Sequence, residues 1–197
     1  MKRLFDLVFS LVFLILFLPF GIIIALFIGF GSKGGVFYRQ ERIGVNGEPF
    51  NLLKFRSMKV GSDKSGKLTV GMRDARITKI GYFIRKFKLD EFPQFINVLK
   101  GEMSIVGPRP EVPEYVNLYT EEQRKILRVK PGITDYASLE YFTENELLAK
   151  SVDPVRTYLE EVMPAKIKLN EKYLNNPVLS EDLKIMWLTF KKILGIN

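Results

Sequence analysis

From Leu7 to Phe30 the chain carries no formal charge and consists mainly of Leu, Ile, Val and Phe. A helix over that run is long enough to cross a bilayer core of roughly 30 Å. A secretory signal would have a shorter apolar stretch ending in small residues at a cleavage site. Here the run continues through Gly29, Phe30 and Gly31 into a polar stretch of mixed pattern, so the segment is expected to stay attached. Pro19, near the middle, removes an amide donor and Gly21 adds a flexible point, which predicts a bend. Lys2 and Arg3 precede the segment, and Lys33, Arg39 and Arg42 follow it. Positive flanks favour the cytoplasmic side, here at both ends. Two arrangements satisfy this pattern: a helix that turns at Pro19 and leaves by the face it entered, or a straight span with a proline kink. The apolar pattern leaves both open.

Beyond Gly35 the pattern changes. The stretches Val36 to Val45 and Phe50 to Met58 flank Asn46-Gly47, a dipeptide suited to the positive dihedrals of a tight turn, which predicts a β-hairpin. Lys54 and Arg56, two apart on the second strand, share a face, and by themselves they read equally well as a solvated basic edge. Residues 60–73 are polar and Gly-punctuated and predict a loop. Ile77, Ile80, Phe83, Ile84 and Phe87 recur at helical spacing among Lys79, Arg85 and Lys86, so a basic amphipathic helix is expected. A second helix follows: Asp90 is a candidate cap, Pro93 suits a first turn, Phe92, Phe95, Ile96 and Leu99 form one face, and Gly101 can end it. Near the end, Ser180, Glu181 and Asp182 read as a helix start before Leu183, Met186, Trp187, Phe190, Ile193 and Leu194. That helix can dock on the core or lie in the headgroup region with its aromatic and lysine residues.

At 197 residues the chain has room for one soluble domain plus the apolar anchor. Its net charge of +8 favours anionic partners: nucleic acid, acidic lipid or phosphorylated substrates. No nucleic-acid reader motif or alternating basic and aromatic platform is present, so no nucleic-acid partner is expected. With no cysteine and no histidine, thiol nucleophiles, imidazole bases and the usual zinc sets are excluded. Any catalysis must rest on Asp, Glu, Lys, Arg, Tyr or hydroxyl groups.

One stretch meets that requirement. Arg85 to Glu91, Arg-Lys-Phe-Lys-Leu-Asp-Glu, sets two carboxylates among cations at an expected helix start, where unpaired amides attract phosphate. Such surroundings are expected to keep Asp90 ionised, and an ionised carboxylate can attack phosphorus to form an acyl phosphate. Glu91 beside it is a candidate Mg2+ ligand, since Mg2+ takes oxygen ligands from one or two acids plus substrate phosphates. The plainer reading makes Asp90 a helix cap and Glu91 a first-turn charge. In Gly107-Pro108-Arg109-Pro110 two prolines stiffen the backbone around an arginine, which makes Arg109 a candidate oxyanion binder or a rigid surface turn. Pro131-Gly132-Ile133-Thr134, with Asp135 and Tyr136 just beyond, either lines a pocket or connects elements.

Several segments together resemble the bacterial sugar transferase family, the monotopic phosphoglycosyl transferases. They are Lys2 to Asp6, Lys54-Phe55-Arg56-Ser57-Met58, Leu89-Asp90-Glu91-Phe92-Pro93-Gln94, Asn97 to Ser104, Val106-Gly107-Pro108-Arg109-Pro110 and Lys130-Pro131-Gly132-Ile133-Thr134. Each is weak alone; their order and spacing are specific. The resemblance implies an α+β fold: a re-entrant membrane helix over 1–33, then a cytoplasmic catalytic domain over 34–197 with a short β-hairpin, mainly helical, with amphipathic interfacial helices. It implies a monotopic protein of the bacterial inner membrane with its active site on the cytoplasmic face. The implied partners are a UDP-sugar donor, undecaprenyl phosphate as acceptor, the lipid bilayer and glycosyltransferases of the same pathway, and the implied cofactor is Mg2+. Asp90 is implied as nucleophile, and Glu91 with Asp90 as metal ligands. Lys54, Arg56, Arg85, Arg109, Asp135 and Tyr136 are the candidate substrate-binding residues. The competing expectation is a non-catalytic membrane adaptor whose basic domain binds acidic lipid or a partner enzyme. In many relatives Gly-Trp-Ala follows the Pro-Gly-Ile-Thr motif, where this chain has Asp135-Tyr136-Ala137.

Overall fold

The structure, a computed structural model, describes all residues except 32–33, 63–65, 67, 72–73, 176 and 197. The boundary expected at 33/34, the flanking charge of Lys33 and part of the 60–73 loop lie outside the described residues. The apolar run forms one helix, α1 (Lys2–Gly31), with Pro19 inside it. Its mean hydropathy reaches 3.1 over 18 residues, yet only 11% of that window is buried. Proline has no N–H to give the carbonyl of Ile15, so the helix loses one rung of its ladder at that point.

The face of α1 that does make contacts follows a helical spacing. Lys2 donates to Asp182 and to the carbonyl of Val106, and Arg3 donates to the carbonyls of Val98 and Leu99. Asp6 accepts from the Ser104 hydroxyl and the Ile105 amide. Phe9 and Phe13 pack on Phe95, Phe13 and Phe17 on Phe92, and Ile28 is fully buried against Phe55 and Ile84. Gly21 has no side chain to hold the helix off Phe92. Both ends of the helix are thus seated on the same domain. Its other side, including Leu16, Phe20, Leu26 and Phe27, is exposed and wholly apolar.

The expected hairpin forms as β1 (Phe37–Ile43) and β2 (Pro49–Phe55), antiparallel, with Tyr38 opposite Lys54. Asn46 and Gly47 adopt the positive φ that the tight turn demands. Next come α2 (Lys79–Lys86), capped by the Thr78 hydroxyl on the Gly81 amide, a 3-10 turn over Leu89–Glu91, and α3 (Gln94–Lys100), which Gly101 ends in the left-handed region. Asn97, fully buried, accepts from the Leu53 amide and donates to the Asn51 carbonyl, so α3 is stapled to β2.

A second sheet was not predicted: β3 (Ser104–Val106) pairs in parallel with β4 (Gly132–Thr134). Gly107 and Gly132 meet backbone to backbone; a Cβ on Gly132 would lie 2.1 Å from the Gly107 nitrogen. Between these strands lie the short α4 (Pro113–Val116) and a 3-10 stretch over Gln123–Arg128. After β4 come α5 (Tyr136–Glu140), α6 (Glu144–Ala149), α7 (Pro154–Thr157) and α8 (Met163–Asn175), the last two joined by a π-helical turn. The final helix, α9 (Leu179–Leu194), has Val178 at its N-cap, so Ser180 lies inside the first turn and does not cap it. Asp182 and Ile185 turn into the core, while Leu183, Trp187, Phe190 and Leu194 are exposed. The helix both docks and presents an aromatic face outward.

Candidate active site

The dyad is positioned by a change of direction. Lys88, at φ 57, breaks the chain out of α2, and Leu89–Glu91 form a single 3-10 turn before α3. Asp90 therefore caps nothing: the residue at the N-cap of α3 is Pro93, with no side-chain cap bond. The expectation of a capping Asp90 fails because the left-handed residue inserts a tighter turn ahead of the helix.

Asp90 is 5% exposed, and among the described residues its carboxylate makes no hydrogen bond or ion pair. Burial, and then the charge of Glu91, raise its pKa above the ordinary carboxylate value, against the pull of Lys54, Arg85 and Lys88. The amides and cations expected to keep Asp90 ionised thus do not offset burial, which dominates. Glu91 behaves oppositely. Burial alone would raise it, but Arg109 and Lys54 hold it well below the usual range. The Arg109 guanidinium grips it at both oxygens, Nη1 to Oε2 at 3.3 Å and Nη2 to Oε1, while Lys54 Nζ approaches Oε1 at 3.4 Å. The charge of Glu91 raises Arg109 further above its ordinary value. Lys54, despite this partner, is pushed down to about 8, because burial outweighs the attraction.

The two carboxylates thus have divided roles: one is clamped and anionic, the other uncommitted and more basic. Basicity and nucleophilicity rise together, so Asp90, once ionised, is the better attacking oxygen. Among the described residues no three acidic, His or Cys groups converge as a metal cage. Mg2+ needs no such cage when substrate phosphates supply ligands. Among the described residues both Asp90 oxygens are uncommitted and Glu91 Oε2 takes only the one Arg109 bond, so the pair has oxygens to offer a divalent cation.

The expected binding residues divide. Lys54 and Arg109 join Glu91 directly, and Arg85 acts on Asp90 through space, with no hydrogen bond of its own among the described residues. Arg56, by contrast, lies past the end of β2 and spends its guanidinium on the carbonyls of Gly35 and Phe37. Asp135 is 2% exposed; it caps α5 through the Ser138 amide and accepts from the Arg109 amide and Asn170. Both of its oxygens accept bonds from the protein, and it borders a cavity with Arg109 and Asn170. Tyr136 packs on the core of β2, α3 and β3. Lys88 was missed as a site residue: its charge acts on both carboxylates, but nothing in a lysine's identity forecasts a left-handed backbone.

The chain matches the family model described as bacterial sugar transferase over residues 1–195. A Bacillus subtilis protein named uncharacterized sugar transferase EpsL is 42% identical over 159 residues, covering 81% of this chain and 70% of that protein. The Escherichia coli UDP-glucose:undecaprenyl-phosphate glucose-1-phosphate transferase is 36% identical over 200 residues, covering 98% of this chain and 40% of its own. An Aeromonas hydrophila UDP-N-acetylgalactosamine-undecaprenyl-phosphate N-acetylgalactosaminephosphotransferase is 34% identical, again over 98% of this chain but 43% of the relative. The chain thus spans about two fifths of the length of the latter two.

Proposed function

The chain belongs to the bacterial sugar transferase family, and from that membership we propose that it is a phosphoglycosyl transferase moving a sugar 1-phosphate from a UDP-sugar to undecaprenyl phosphate. The observation that carries the reading is the uncommitted Asp90 carboxylate under the influence of three cations, beside a Glu91 clamped by Arg109.

In the first half, an Asp90 oxygen attacks the β-phosphorus of the donor. The new carboxylate–phosphorus bond forms as the bond to the bridging oxygen breaks, and UMP leaves with that electron pair. In the second half, a phosphate oxygen of undecaprenyl phosphate attacks the same phosphorus and returns Asp90 to its carboxylate form, leaving a diphosphate-linked sugar on the lipid. Arg85, Lys88 and the Arg109 N–H groups not spent on Glu91 bind the phosphate oxygens. Lys54 keeps Glu91 anionic and adds positive charge facing the donor. Burial screens Asp90 from bulk water and so disfavours hydrolysis of the acyl phosphate. Asp90 and Glu91 would hold Mg2+, which supplies charge neutralisation of the diphosphate.

The membrane arrangement belongs to the same proposal. A straight helix of 30 residues is about 45 Å long, so a span would carry its two ends to opposite faces. Lys2 and Asp6 at one end and Ile28 at the other hold a single domain, which supports a helix that dips into the inner membrane and returns to the cytoplasmic face. The apolar side of α1 and the exposed Trp187 face of α9 then meet lipid.

The test is UMP release by the purified chain across UDP-sugars with Mg2+ and undecaprenyl phosphate. Asp90→Asn is expected to abolish release while the protein stays folded. Turnover by that folded variant would overturn the nucleophile assignment; lipid binding with no turnover on any donor would favour the adaptor.

A further inference from the structure

Arg109 grips Glu91 from a backbone held on its far side. Pro108 and Pro110 fix the chain around it, and its amide donates to Asp135 Oδ2 at 2.9 Å. Asp135 is held in turn: Oδ1 accepts from the Ser138 amide at 2.6 Å, and Oδ2 accepts a second bond, from Asn170 Nδ2 at 2.6 Å. Asn170 is 3% exposed and lies on the inward side of α8, between Ile167 and Tyr173, which are also buried. The orientation of its amide follows from chemistry. With the oxygen turned to Asp135, carbonyl and carboxylate would repel, so the nitrogen must face that way.

The other end of the same amide is unspent. Among the described residues Asn170 Oδ1 has no hydrogen-bond partner although it is buried. Asn170, Arg109 and Asp135 border one cavity of about 30 Å³, with Tyr158 and Lys166 on its wall. That is room for a single water, which Oδ1 can hold. A buried amide with one end on a carboxylate and the other on a polar void is an expensive way to fill a core, since leucine would fit a purely packing role.

We propose that Asn170 is a positioning residue for Arg109, acting through Asp135. Asn170 and the Ser138 amide fix the Asp135 carboxylate, Asp135 fixes the Arg109 amide, and the guanidinium is thereby aimed at the site where it meets Glu91 and the donor phosphates. The inference rests on the reading of Arg109 as a phosphate-binding group. It adds a residue some 80 positions from the dyad, on an element that does not touch the reacting atoms.

A merely structural role predicts that loss of Asn170 costs stability whatever stands at 109. A positioning role predicts that its effect on phosphate binding vanishes once Arg109 is gone, so a double-mutant cycle separates the two. The full chain in lipid nanodiscs is prepared as wild type, Asn170→Leu, Arg109→Ala and the double variant. Three quantities are measured: calorimetric affinity for inorganic pyrophosphate, and KM and kcat for UMP release. Each single variant is expected to weaken pyrophosphate binding about tenfold or more, the scale of a hydrogen bond to a charged group. The double variant is expected to match Arg109→Ala within about twofold. Effects that multiply would overturn the proposal. Should Asn170→Leu not fold, Asn170→Ser enters the same cycle with the same criterion. Because pyrophosphate binding needs no turnover, a non-multiplicative cycle without UMP release would sink the proposed reaction and leave the positioning role standing. Normal UMP release with a multiplicative cycle would do the reverse.

Discussion

Gly132→Ala tests the crossing on which the site is built. A Cβ there would lie 2.1 Å from the Gly107 nitrogen and 2.4 Å from the Gly107 oxygen, where non-bonded atoms need roughly 3.5 Å. Backbone is on both sides, so no side chain can swing away; the two strands must part by about 1 Å or more. Three bonds cross this point: Ser104 to the Pro131 carbonyl at 2.8 Å, Gly132 to that of Pro108 at 3.0 Å, and Gly107 to that of Thr134 at 3.1 Å. Stretching them by that amount takes them out of hydrogen-bond range. Ser104 and Val106 are almost fully buried, so water cannot replace what is lost. At about 1 kcal/mol each the bonds together are worth about 3 kcal/mol. For a chain of this size that lowers Tm by about 6–12 °C. The assay is thermal unfolding in detergent followed by circular dichroism, with Gly29→Ala as the control, since a Cβ at Gly29 meets nothing within 4 Å. Arg109 and Asp135 flank the crossing, so UMP release should fall further than stability alone explains. A Gly132→Ala protein melting within about 2 °C of wild type, with full turnover, would refute the reasoning.

Three other outcomes are expected. On the proposed mechanism Asp90 attacks as the carboxylate, and its pKa is raised, so kcat/KM for the donor should fall with acid at a pH above the ordinary carboxylate range. Lys54 is cationic only below about 8, so activity should also fall as pH rises through that value. Lys54→Arg should carry this alkaline limb upward, and a limb unmoved in that variant excludes Lys54 as its source. Trp187 is the single tryptophan and is 62% exposed, so its emission should shift to the blue in bilayers and be quenched by brominated lipid; a water-like spectrum would remove α9 from the lipid surface. Asp6→Leu strands the Ser104 hydroxyl and the Ile105 amide, at about 1–3 kcal/mol each, and should lower Tm and open the start of α1 to protease. Unchanged protease resistance would mean that the anchor is held elsewhere.

What the residues disclosed in advance was local. The hairpin was legible because Asn-Gly has few other uses between alternating strands, and α2 because its apolar residues recur at 3.6. The β3–β4 pair was not, since three-residue strands carry no period and their partners lie 28 positions apart. Nor was the docking stripe of α1, whose Asp6 stands just ahead of the apolar run and whose Ser10 is hidden within it. In the site, Arg85 was recognisable as a cation near the carboxylates and Arg109 as a candidate oxyanion binder, but that Arg109 and Lys54 pair with Glu91 depends on the fold, and how the two acids differ depends on burial. Asp135 was named as a candidate binding residue, but its part as the cap of α5 and the anchor of the Arg109 amide was not legible, because a cap and a ligand are the same residue until its donors are known.

The contact between Lys2 and Asp182 joins positions 180 residues apart, and Tyr173 completes it from α8. During synthesis α1 leaves the ribosome long before α9 exists, so α1 must wait with its polar inner stripe unsatisfied. Assembly of this domain therefore waits for α9. A chain halted before α9 would leave an apolar helix in lipid and a half-built domain beside it, a species for quality-control proteases to clear.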